Sequence, residues 1–142
     1  MNDSQDILQQ ACAIAGIDAT GARLLRVGSN TVYRLKAPVI ARISRPGADP
    51  GQVRQTVAVA RWLKSVDYPA VRVVDVDQPV VLDQRVVTFW DAVSDDGDQY
   101  ASVAEVAQVL LQLHHLTAPR NCTCPTCRRS RTPRSGSRPA PG

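Results

Sequence analysis

Aromatic side chains are scarce in this 142-residue chain, which has one Phe, two Trp and three Tyr, 4% of the total. Rings at that density cannot dominate a core, so Val, Ala and Leu must supply most of the 44% apolar content that fills it. Long apolar runs are missing as well. None approaches the ~20 residues that a membrane-spanning helix needs. The opening MNDSQDILQQ has no basic region followed by an apolar stretch, so no secretory leader is expected and the default compartment is the cytoplasm. No internal repeat is present, and the length is that of about one domain.

Acids are missing from one region in particular: after Glu105 the sequence contains neither Asp nor Glu. From Arg120 to Gly142 there are six arginines. Setting these aside leaves 11 of the 17 basic residues against 13 acids, so the formal charge of +4 divides into −2 for the body and +6 for the tail. A mildly acidic body with a basic tail lacks the basic face of a nucleic-acid binder, and no specific nucleic-acid partner is expected.

The elements follow from periodicity and punctuation. Ser4–Ala15 predicts a short amphipathic helix with Ile7, Leu8, Ala11 and Ile14 on one face, Cys12 as a small buried apolar residue and Gly16 as the stop. Strands are predicted at Arg23–Val27, Thr31–Lys36 and Val39–Ser44. Asp49–Pro50 pairs an N-cap acid with proline at the first helical position. The helix it starts runs to about Ser65, with Val53, Val57, Ala60 and Leu63 or Lys64 near one stripe, and Pro69 bars its continuation. Two or three strands follow, around Val71–Val76, Val80–Leu82 and Arg85–Trp90, with Asp83–Gln84 as a hairpin turn. The polar Ser94–Asp98 reads as a surface linker. Ser102-x-x-Glu105 is a capping box. It opens a helix whose face of Val103, Val106, Val109, Leu110, Leu113 and Leu116 is apolar enough to want more protein against it. The fold class is therefore α+β. A mainly antiparallel sheet of about five strands with a packed helix spans residues 1–93, a linker and helix span 94–119, and a disordered Arg/Pro/Ser/Cys tail spans 120–142.

Two features between Leu24 and Ile43 carry chemistry. Gly28 allows a tight hairpin tip and close approach of backbone N–H groups to phosphate oxygens, with Ser29 and Asn30 as further donors. The same three residues also suit an ordinary hairpin turn, and they lack the second glycine and the lysine of a Walker A loop. Arg42 stands mid-strand between Ile40 and Ile43, where an unpaired buried charge would be costly. It is either a phosphate-binding cation or an arginine on the solvent face of an edge strand.

In this order, GSNTVYRL, VIARI, VAVARWL, VTFWDAV and LLQLHHL resemble the aminoglycoside phosphotransferase family, small-molecule kinases of the protein-kinase-like fold. The resemblance covers about residues 5–119 and only that family's N-terminal lobe. It implies a nucleotide partner, ATP with Mg²⁺, and, for the full-length family, a hydroxyl-bearing small-molecule substrate. Residues implied to contact nucleotide are Gly28, Ser29, Asn30 and Val32 on the hairpin, Arg42 beneath it, and Thr88, Phe89 and Trp90 on the strand leading to the lobe hinge. For Phe89 and Trp90 the side chains also read simply as core. The glutamate expected to pair with the cation is replaced by Thr56, with Gln55 beside it. No catalytic and no metal-binding residue is assigned: the family's catalytic-loop aspartate and Mg²⁺-binding aspartate would follow LLQLHHL, and His114 and His115 belong to that helix. The lobe is thus expected to bind ATP weakly and to transfer no phosphate. The alternative is a non-enzymatic interaction module that uses the exposed helix face or the tail.

Cys122, Cys124 and Cys127, even with His115, supply three thiolates without a second knuckle, and so make a poor zinc site. The tail reads better as a frame-shifted continuation. Codons for Asn-Cys-Thr-Cys-Pro-Thr-Cys, read from the last base of the Asn121 codon, can encode Leu-His-Leu-Pro-Asp-Leu-Pro. The coding DNA should then show a family-like continuation in the shifted frame after Asn121. Sequencing the gene checks this, and a shifted frame without such a continuation would refute it.

Overall fold

A computed structural model describes residues 3–94 and 100–119; the expected tail disorder and the three tail cysteines lie outside these. Helix α1 (Asp3–Ala15) precedes strands β1 (Arg23–Val27), β2 (Asn30–Arg34) and β3 (Val39–Ser44). Helix α2 (Pro50–Ser65), strands β4 (Val80–Leu82) and β5 (Arg85–Asp91) and helix α3 (Val103–His115) complete the order. The five strands form one antiparallel sheet in the order β1-β2-β3-β5-β4. This is the expected α+β arrangement of a kinase-like N-lobe.

Local chemistry places the turns and caps. Asp83 and Gln84 both adopt positive φ, 44° and 64°, which suits the right-handed twist of the β4–β5 hairpin. Asp49 caps α2 by accepting the Gly51 N–H at 2.8 Å, and Pro50 fills the first turn. The capping box of α3 is complete: Ser102 Oγ accepts the Glu105 N–H at 3.3 Å and Glu105 Oε2 accepts the Ser102 N–H at 2.7 Å. These bonds hold the Glu105 carboxyl below its ordinary range. β1 is an edge strand exposed along its whole length, and Arg23 and Arg26 place charge on that edge, which discourages pairing with another sheet.

Side-chain alternation divides the interior in two. Tyr33, Val39, Ala41, Ile43, Val87 and Phe89 face α1 and pack against Ile7, Leu8, Ala11 and Cys12. On the other face Ile40, Val73 and Trp90 pack against Val57 and Ala60 of α2. Cys12 is buried as expected, and that burial, aided by nearby Asp18, pushes its thiol up to about 11. Ile14 is 62% exposed instead of lying on the buried face, because the stripe runs 7-8-11-12 and leaves position 14 on the outside. Arg85 Nη2 meets Asp3 Oδ2 at 2.7 Å and ties the start of α1 to β5.

The segment Val71–Val76 is not a strand. It makes one isolated bridge, Val73 to Trp90, and Val74 N–H donates to Phe89 O at 3.0 Å. Beyond that point the carboxamide of Gln78 stands in for a strand. Its Oε1 accepts the Phe89 N–H at 2.8 Å, and its Nε2 donates to Val74 O at 2.6 Å and to Phe89 O at 3.3 Å. A primary amide carries the same donor and acceptor as a peptide unit, so one side chain completes the ladder where Pro79 offers no N–H. β2 also begins at Asn30 and ends at Arg34, short of Lys36, because Leu35 N–H turns to Val39 O at 2.9 Å.

None of the residues of α3 is buried, and its apolar Val106, Leu110 and Leu111 stay open, as the sequence implied. One hydrogen bond from Tyr68 Oη to Val109 O, at 3.1 Å, reaches it from the turn after α2. No helix among the described residues is long and apolar enough to cross a membrane.

Gln78 provides the test of this architecture. Gln78→Leu keeps the volume but leaves the buried Phe89 N–H without an acceptor. It should therefore lower the unfolding free energy by about 1–3 kcal/mol, the usual cost of an orphaned buried donor, as measured by chemical denaturation. An unchanged midpoint would show that Gln78 fills space and nothing more.

Candidate functional site

The antiparallel register places Val32, Arg42 and Thr88 side by side across β2, β3 and β5. Residues directly opposite one another share a face, so all three stand on the side covered by α2. Arg42 is on an inner strand of the sheet, flanked on both edges, so the edge-strand alternative no longer applies. Its side chain is nevertheless exposed, because α2 covers only part of the face through Val57 and Ala60.

Between the uncovered sheet and the start of α2 lies a cavity of about 140 Å³. Asn30 of β2, Arg42 and Ser44 of β3, and Val86, Thr88 and Trp90 of β5 line it from the sheet; Val53 and Thr56 line it from α2. Arg42 is the one charged group in that lining. No carboxylate approaches its guanidinium within 4.0 Å among the described residues, whereas Arg72 pairs with Asp67 and Arg85 with Asp3. Thr56, at the position where a paired glutamate was expected, faces the same cavity but donates its hydroxyl to Gln52 O at 3.1 Å. It gives the cation no charge. Ser44 is also committed: its hydroxyl accepts the Val86 N–H at 2.8 Å and donates to Arg45 O at 3.1 Å.

Of the residues assigned from sequence, the structure gathers Asn30, Arg42, Thr88 and Trp90 around one cavity, with Val32 beside Arg42 on the same face. Gly28 and Ser29 occupy the tip of the β1–β2 hairpin and do not line it. Gly28 is not required by the turn. Its φ is not in the left-handed region, and an added Cβ would meet only the Arg26 side chain, at 3.6 Å. Its N–H is taken by Asn30 O at 3.1 Å, while the Ser29 N–H has no partner among the described residues.

Phe89 falls away from the site, fully buried on the α1 face. Its main chain is engaged too, by Gln78 and Val74. The Asp91 and Ala92 N–H groups go to Arg72 O and Pro38 O, both near 2.9 Å, so Val93 is the first residue past β5 whose N–H has no partner among the described residues. Ser44 and Val86 were not singled out from sequence, although the period of two along a strand puts each on the face of its neighbour, Arg42 or Thr88.

A larger cavity of about 500 Å³ lies against α1 and the segment from Ile17 to Ala22. Its only charged lining residue is Asp18, whose carboxyl is held below its ordinary range by hydrogen bonds from Thr20. An anionic pocket with no cation does not suit phosphate. The smaller cavity has the relevant chemistry.

The model of one family, described as the phosphotransferase enzyme family (APH), matches residues 21–141. That range takes in every strand of the sheet together with α2 and α3, and starts after α1. No curated protein and no solved structure matches the chain. Matched over well more than half of its length, and folded with its cation on the inner strand beside the helix-covered cavity, the chain belongs to the phosphotransferase enzyme family.

Proposed function

We propose that this chain is a nucleotide-binding lobe of a small-molecule phosphotransferase that takes up ATP weakly and does not by itself transfer a phosphoryl group. The observation that carries this is Arg42, an exposed guanidinium with no acidic partner on a cavity otherwise lined by neutral groups. Such a group suits a di- or triphosphate, because forked N–H donors match phosphate oxygens and no neighbouring carboxylate competes for them.

In this reading the phosphates lie near Arg42 under the hairpin tip. There the unpartnered Ser29 N–H and the small side chain of Gly28 leave room for approach. The adenine lies toward the Thr88–Trp90 strand. Since the Phe89 main chain is already bonded, its hinge contact shifts to the neighbourhood of Val93. A cavity of about 140 Å³ is small beside the roughly 300–1,000 Å³ of drug-sized sites, so most of the nucleotide stays in water.

Mg²⁺ accompanies ATP in such chemistry and bridges its phosphates. No group of three or more His, Cys, Asp or Glu stands together among the described residues, so the protein groups present fit the phosphates and not the metal. The sequence also carries no acid after Glu105 to orient an acceptor hydroxyl. These two points support weak binding without turnover. The acceptor is a hydroxyl-bearing small molecule in this reading, and the setting is the cytoplasm.

A second reading, an interaction module, draws on the exposed apolar face of α3. Titration calorimetry separates the two. ATP should give measurable heat with the wild type, and Arg42→Ala should weaken binding roughly 10- to 100-fold, since each charge-assisted contact is worth about 1.5–3 kcal/mol. Thr56→Glu should not create turnover, because it supplies an ion-pair partner and no catalytic acid. Equal affinity in wild type and Arg42→Ala would reject the cation's role. No heat from either would leave the interaction module as the standing reading.

A further inference from the structure

Something other than an acid holds the Arg42 side chain in place. Its guanidinium carbon lies 5.9 Å from the centroid of the Trp90 ring, within the ~6 Å reach of a cation–π contact. Trp90 is a rigid platform. It is 8% exposed, packed with Val57, Ala60 and Val73, and its indole N–H donates to Thr88 Oγ1 at 2.9 Å. Thr88 is itself buried on β5, so the ring is fixed by its packing and by a neighbour two residues away on the same face. The hydroxyls nearest to hand cannot take over this task, because Thr56 and Ser44 each donate to a backbone carbonyl, Gln52 O and Arg45 O.

We propose that Trp90 is the positioning residue for the Arg42 cation, its ring face holding the guanidinium at the cavity where no carboxylate does. Only the consequence for nucleotide affinity rests on the function proposed above. Two effects follow from the chemistry of a ring. An aromatic face attracts a cation without cancelling its charge, so Arg42 keeps its full positive charge for an incoming anion. The platform also belongs to the sheet, so the cation is placed by β5 and needs no movement of α2 to acquire a partner.

The test uses isotopically labelled full-length protein and begins without nucleotide. Arg42 side-chain NMR resonances should be displaced by the Trp90 ring current in the wild type and stay largely displaced in Trp90→Phe, which retains an aromatic face. They should return to ordinary positions in Trp90→Leu, which fills the space with apolar atoms and no ring. With ATP as the probe, Trp90→Phe should bind nearly as the wild type does. Trp90→Leu should bind roughly two- to fivefold more weakly, the range that a cation–π contact at an exposed site corresponds to. A role in packing alone would leave both the Arg42 resonances and the Phe/Leu difference unmoved.

Should Trp90→Leu fail to fold, Thr88→Val releases the indole N–H with little change in volume and should shift the Arg42 resonances. Undisplaced Arg42 resonances in the wild type would overturn the proposal, as would displacement that persists in Trp90→Leu. Displaced resonances in a protein that gives no heat with ATP would uphold the positioning role and remove the nucleotide function.

Discussion

Strand β5 is buried on both faces, and each of its side chains must enter one of two separate cores. Val87 and Phe89 go to the α1 side, and Val86, Thr88 and Trp90 to the α2 side. Phe89 is wholly buried, and complete burial of such a side chain is worth about 1.5–3 kcal/mol relative to exposure. A slip of one residue in register would exchange the two sets and put Trp90 into the α1 core. The position of the candidate site is thus a by-product of packing on the opposite face. The better-filled core holds the strand, and the strand then presents Thr88 and Trp90 to the cavity.

The treatment of arginine shows why that cavity differs from the rest of the surface. Arg85 reaches Asp3, Arg72 reaches Asp67, and Arg61 donates to Val76 O at 2.9 Å. Each of these three has an oxygen to bond. Arg42, on an inner strand with Ile40 and Ile43 close by, has an aromatic face and no acid. Its charge is tolerable because α2 leaves the group in water. A guanidinium hydrated and unneutralised in a concavity remains available to an anion.

Much of this was legible in the sequence because the signals are local. Asp49–Pro50, Ser102-x-x-Glu105, the Asp83–Gln84 turn and the β-branched runs each act within a few residues, and each appears where its chemistry puts it. What was not legible depends on contacts made at a distance. Val71–Val76 has the composition of a strand, but whether it pairs is decided by Gln78, whose amide takes the ladder positions of Phe89. Phe89 and Trp90 are adjacent in the chain and were grouped for that reason. The alternation of the sheet sends them to opposite faces, so only Trp90 meets the cavity. Gly28 looked like a conformational necessity, yet its backbone is one that other residues adopt, so the reason for a glycine there has to be space and not φ. That Trp90 and Arg42 face the same way follows from strand pairing, which Arg42↔Thr88 and Ile40↔Trp90 fix only after the register is known.

Helix α3 bears on how far these parts depend on one another. An isolated helix of its length is marginal in water, and α3 has a good cap but buries none of its residues. Its exposed Leu110 and Leu111 therefore contribute nothing to either core. The cavity around Arg42 draws every lining residue from β2, β3, α2 and β5. Fraying or covering α3 accordingly leaves the register of the sheet, the Gln78 clamp and the Trp90 platform in place. The phosphate-facing geometry is a property of the sheet and α2, and the apolar helix face is a property of α3. Whatever covers that face acts on the cation only if it also moves β5.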